Sequence, residues 1–244
     1  MKPSRTIGWL FILASVALFV PYTLLTLTFD YPDILRQAPG EVLQRFHAGG
    51  PALVYTWWAF AMVGLPLLPA YTGLGQLLQP RFFWMRTATA LAVTGGIVQV
   101  IGLLRWSFVV PVVAARYVAA PDEAARRAQE GIFEAVHQYG GVILGEHLGQ
   151  LFSIAWTIYL SLALWRAGFF AKGLHILGLA ASAIYLLAQG ELFATVVPGF
   201  PVWDLAGFLG STLWLIWLLA LGIALVRKGD RYFPLTLPAA HPAP

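Results

Sequence analysis

The stretch IGWLFILASVALFVPYTLLTLTF, Ile7 to Phe29, contains no charged residue. An α-helix rises 1.5 Å per residue, so about 20 residues cross a hydrocarbon core about 30 Å thick. Comparable runs recur at Pro51 to Leu74, Trp84 to Leu104, Val142 to Trp165, Ala171 to Val196 and Val202 to Val226. In hydrocarbon every backbone N–H and C=O needs a partner inside the protein, which only helices and closed barrels provide. The alternating ten-residue segments of a barrel are absent. The expected fold is therefore all-α, a polytopic membrane helical bundle of six transmembrane helices.

Little else fits in the chain. Of its 244 residues 59% are hydrophobic and 11% charged, too apolar for an ordinary soluble domain. One transmembrane domain is expected over residues 1–232, followed by a proline-rich cytoplasmic tail, FPLTLPAAHPAP, at 233–244. The basic start and apolar run of residues 1–29 invite a signal-peptide reading. That run is longer than a signal's apolar region and no small-x-small cleavage pattern closes it, so it is read as the first span. The absence of cysteine excludes disulfides, thiolate metal sites and iron–sulfur clusters. The net charge of +4 comes from basic residues at span ends, not from a basic run, so no nucleic-acid partner is expected.

Lys2 and Arg5, Arg81 and Arg86, Arg166 and Lys172, and Arg227, Lys228 and Arg231 all fall on one side of the six-span arrangement. The opposite loops carry Arg36, Arg45, Arg116, Arg126 and Arg127, accompanied by acids. The positive-inside rule places both termini in the cytoplasm. Two of the outer connections, PGEVLQRFHAGG and PDEAARRAQEGIFEAVHQYGG, show apolar residues at helical spacing and are expected as interfacial helices on the extracytoplasmic side.

Polar residues inside the spans carry the functional information. On a helix Glu146, Gln150, Ser153 and Thr157 share a face, with His147 at its edge. A charge facing lipid at mid-membrane costs about 3 kcal/mol, so this stripe should face the bundle or a wet cavity. Gly141, Gly145 and Gly149 form a second stripe suited to close helix packing, within the chain or in a homo-oligomer. Gln99 lies beside Gly95 and Gly102, and Arg105 closes the third span. By topology His47, Arg105, His137, Glu146, His147, Glu191 and Asp204 all lie near the outer boundary.

Several readings of this level stand side by side. In one, Arg105 pairs with Glu146 or Glu191, Asp204 caps the sixth helix, and the protein is structural or partner-binding. In another, Arg105, Glu146, His147, Gln150, Glu191, Asp204, His137 and His47 line a chamber that binds a small amphipathic or apolar molecule. Three carboxylates against one arginine would leave excess negative charge there, and neighbouring carboxylates raise one another's pKa. An enzyme built on this would use Glu146 as acid/base, His147 as its proton partner and Arg105 to anchor an anionic group. Proton- or cation-coupled transport is a further alternative. A metal would draw on His47, His137, His147 and Glu191. However, Glu134-x-x-His137 has no partner copy, and adjacent Glu146 and His147 point about 100° apart on a helix. No cofactor is assigned.

The strings FDYPDILR, GLLRWSFVVPVVA, HQYGGVILGEHLGQLF and ELFATVVPGFPVWDLAGFLGSTLWL resemble a bacterial family of small integral membrane proteins that carries the label domain of unknown function, number forty-three eighty-six. The resemblance covers nearly the whole chain. It implies a multi-span helical protein of the bacterial inner membrane and brings no activity, cofactor or catalytic residue with it.

Because the chain has no cysteine, single-cysteine variants report sidedness directly. A cysteine at His47 should react with a membrane-impermeant thiol reagent added outside intact spheroplasts, and one at Lys228 only after permeabilisation. The opposite labelling pattern would invert the topology.

Overall fold

A computed structural model describes residues 2–233; the proline-rich tail beyond Phe233 lies outside the described residues. Among the described residues there are helices and turns but no strands, and six helical passes are long and apolar enough to cross a membrane. The first pass is α1 (Pro3–Phe29). The second is α2 (Pro39–Met62) with α3 (Leu67–Leu78), and the third is α4 (Met85–Phe108) with α5 (Val110–Val118). The fourth joins α6 (Glu123–Val136), a π-helical segment (His137–Leu148) and α7 (Gly149–Arg166). The fifth is α8 (Lys172–Leu187) with α9 (Gln189–Ala194), and the sixth is α10 (Ala206–Tyr232).

The breaks within passes have local causes. Gly50 adopts φ 57°, ψ −158°, a region essentially reserved for glycine, and Pro51 disfavours helical backbone at the residue before it. The stretch from Pro39 is therefore helical but joined to the second span through a kink. Asp122 accepts a bond from the Ala125 N–H at 2.8 Å and starts α6, which runs without interruption into the fourth span. The Pro39 stretch is a helix set off from the second span by the kink at Gly50, whereas the Glu123 stretch runs on into the fourth span, which makes the passes longer than the apolar runs.

Contacts gather the four basic clusters at one end of the bundle. Lys2 and Arg5 pair with Asp230 at 3.4 and 3.0 Å, Arg81 lies over the Phe169 ring, and Arg166 lies over Trp84. Above this terminal face sits one apolar core, with Phe11, Tyr71, Trp156, Trp217 and Leu221 fully or almost fully buried. A second core occupies the remote end, built on Phe29, Ile34, Phe46, Trp57, Trp106 and Phe133. There Trp57 and Trp106 stack with centroids 4.8 Å apart and planes 11° from parallel, framed by edge-on Phe29.

The glycine stripe is used within the chain. A Cβ on Gly102 of α4 would stand 2.7 Å from the Gly140 carbonyl oxygen and 2.8 Å from Gly145 Cα. Gly141 lies against the Arg105 guanidinium and Gly149 against the Gln99 side chain, so α4 already covers this face. The π-helical turns, closed by i to i+5 bonds, hold more residues than α-helical ones and keep glycines four apart in line. Gly131 in α6, by contrast, faces open space. Gly102→Ala should lower the stability of the purified protein by about 1–3 kcal/mol through overpacking, whereas Gly131→Ala should leave it unchanged or raise it by up to about 1 kcal/mol. Thermal unfolding of the two variants in one detergent checks the contrast.

Candidate functional site

The site begins where α1 ends. Asp30 takes a left-handed conformation, φ 58°, and its N–H returns to the Leu25 carbonyl. The short 3-10 turn that follows (Asp33–Arg36) is anchored by Ile34, which is fully buried in the remote core. With Ile34 held there, Arg36 reaches across two other passes. Its Nε donates to Glu191 Oε1 at 2.8 Å and its second terminal nitrogen to Glu146 Oε2 at 2.7 Å. Burial alone would lower the Arg36 pKa, but the two carboxylates outweigh it and hold the guanidinium above its ordinary value. Nothing in the spacing of the sequence marks Arg36, because a turn residue belongs to no helical face.

Arg105, in the last turn of α4, is buried at 7% exposure. One terminal nitrogen donates to the Gly102 carbonyl, the other lies 3.4 Å from His137 Nδ1, and Nε is buried without a partner. A guanidinium only donates, so His137 Nδ1 is the acceptor in that contact. The His137 ring stacks on Phe133 at 5.4 Å, which seats it between the outer core and Arg105. The expected pairing of Arg105 with Glu146 or Glu191 does not form, since Arg36 occupies both carboxylates. Among the described residues no carboxylate lies within ion-pairing distance of Arg105. The charge balance expected from sequence changes accordingly: Arg36 joins the site and Asp204 stays out, so two carboxylates face two guanidiniums.

Between the two cores lies a cavity of about 180 Å³. Glu146, Gln150 and Ser153 line one wall, and Gln99, Gly102, Leu103 and Arg105 line the facing one. Trp57, Phe60 and Trp106 supply aromatic surface, Tyr31 and Leu35 cover it from the outer turn, and Tyr185 and Trp214 close it from α8 and α10. Thr157, the last residue of the polar stripe, is buried below and accepts a bond from the Trp214 indole at 2.9 Å. Gln99 donates to Ser153 Oγ at 3.3 Å across the α4–α7 contact. Burial, followed by the charge of Glu146, pushes the Tyr31 phenol above its ordinary pKa, so its hydroxyl remains a neutral donor.

His147 is turned away from Glu146. Its Nδ1 meets Gln189 Oε1 at 2.7 Å, and Gln189 Nε2 donates to Gln150 Oε1 at 2.6 Å, a short chain that ends at the cavity wall. That bond commits His147 elsewhere than to the proton exchange with Glu146 expected from sequence. His47 and Asp204 are exposed and line no part of the cavity. Asp204 does not cap α10, whose first turn follows Leu205 with no side-chain cap. Glu191 sits at the rim, 41% exposed, under Arg36. Among the described residues no three His, Asp or Glu side chains come together to hold a metal, and His47, His137, His147 and Glu191 do not converge.

The bridge from Arg36 to Glu146 is partly shielded from water and should couple the outer turn to the fourth pass. A double-mutant cycle on Arg36→Ala and Glu146→Gln should return a coupling of about 1–3 kcal/mol, measured by denaturant unfolding in detergent. A coupling near zero would reduce the bridge to a surface pair.

No curated protein and no solved structure matches the chain. The model of one family, described as Domain of unknown function (DUF4386), matches residues 6–222, a range that holds every cavity-lining residue, and the chain belongs to that family.

Proposed function

We propose that this membrane protein binds a small amphipathic or apolar molecule in the cavity between the fourth pass, α4 and the outer turn. The observation that carries the reading is the make-up of that cavity: aromatic walls from Trp57, Phe60, Trp106 and Trp214, with one polar edge formed by Arg105, Gln150, Tyr31 and Tyr185. Ligand sites are typically apolar with a few placed polar groups.

Acid/base chemistry has less support, because Glu146 is engaged by Arg36 and His147 by Gln189. A transport path would have to pass the fully buried Trp156 and Trp217 of the terminal core. The same reading puts the cavity near the extracytoplasmic face of the bacterial inner membrane, with both termini in the cytoplasm, and rests on the basic clusters gathered at the terminal end.

Calorimetric titration of the purified protein with benzyl alcohol, against a matched detergent blank, tests the proposal. Saturable binding is expected for the native chain, and its loss for Leu103→Trp, which places an indole in the cavity. Heats that never saturate, or that are equal in the two proteins, would remove the binding reading.

A further inference from the structure

Given that the cavity is a binding site, on which this inference rests, its lining also selects the kind of molecule. We infer that the ligand is a small carboxylate with an apolar body about the size of one ring.

Size points to a small molecule. An apolar cavity of about 150 Å³ holds benzene. The volume here, about 180 Å³, takes a ring and one small polar group, or a short chain of similar bulk. The body faces the side of the cavity lined by Trp57, Phe60 and Trp106.

Donors predominate on the polar edge. A guanidinium carries five N–H groups, and the contacts to Gly102 and His137 account for two of those on Arg105. The Tyr31 and Tyr185 hydroxyls make no hydrogen bond to any described residue. Gln150 offers its Oε1 to Gln189, whose own Oε1 is turned to His147 Nδ1, so the amide group left to Gln150 for the cavity is its NH₂. The carboxylate on the wall, Glu146, is bonded by Arg36 through Oε2 at 2.7 Å. Such an edge calls for a ligand that accepts.

Charge distinguishes an anion from a neutral carbonyl. Inside the wall, the Arg36–Glu146 pair is neutral and Arg105 has no counter-ion among the described residues. Glu191, which completes the balance, is the most exposed member of the group and is the one screened by solvent. The deepest charge in the wall, Arg105, is therefore a buried guanidinium without a bonded carboxylate, a planar fork that fits one.

The test uses the full chain in nanodiscs of zwitterionic lipid at about pH 7, titrated separately with benzoate, benzamide and toluene. Benzoate should bind at least about tenfold more tightly than either neutral probe. Arg105→Gln should abolish that preference while retaining toluene binding, and Arg105→Lys should restore only part of it, because an ammonium lacks the fork. If Arg105→Gln does not fold, Gln150→Leu serves in its place and should lower the benzoate preference with toluene unchanged. Toluene or benzamide binding as tightly as benzoate would overturn the carboxylate assignment and leave the cavity as a binding site. Binding of none of the three would overturn both.

Discussion

The site depends on the close approach of α4 to the π-helical segment of the fourth pass. Lipid gives no hydrophobic gain for bringing two helices together, so their contact must come from backbone packing and polar bonds. Gly102 meets the Gly140 carbonyl and Gly145 at distances no larger residue permits. That approach lets the Arg105 side chain lie against Gly141 and places Gln99 beside Gly149 and Ser153. The widened turns also end at Leu148, just past Glu146, so that Glu146 and Gln150 face the same cavity as Arg105. π-helical turns are uncommon and concentrate at functional sites, and here they carry Gly141, Gly145 and Glu146 of the cavity lining.

Around that contact the charges are arranged unevenly. Arg36 closes the outer pair by bonding Glu146 and Glu191 together, whereas Arg105, deeper, is left with a carbonyl and an imidazole nitrogen. Had Arg105 taken Glu146, the buried guanidinium would have a carboxylate of its own. What prevents this is the turn after α1, fixed by the burial of Ile34 among the aromatics of the remote core. An apolar anchor in a loop thus decides the electrostatics of a site on three other passes.

Much of the architecture was legible beforehand. Apolar run length marks the passes, and the four-three-four spacing puts Glu146, Gln150 and Ser153 on one face, all three of which line the cavity. The depth of Arg105 and Glu191 could also be estimated by counting residues from a boundary. His47 and Asp204 share that depth yet lie exposed and apart from the cavity, because depth carries no information about direction around the bundle. Arg36 was missed for the converse reason: it lies in a turn, where no periodicity points a side chain anywhere. The widening at His137–Leu148 was hidden as well, since glycines four apart suit either kind of helix.

By itself, then, the sequence determined that the chain folds as six helical passes long and apolar enough to cross a membrane, and which polar residues share a helix face. These follow from hydropathy and helical repeat, both properties of one chain segment at a time. Tertiary structure alone decided that Arg36 claims both carboxylates, that Arg105 is left without one, and that the glycine stripe is consumed by α4. Each of these is a competition among side chains from different passes, and its outcome is set by lateral packing distances that no single segment encodes.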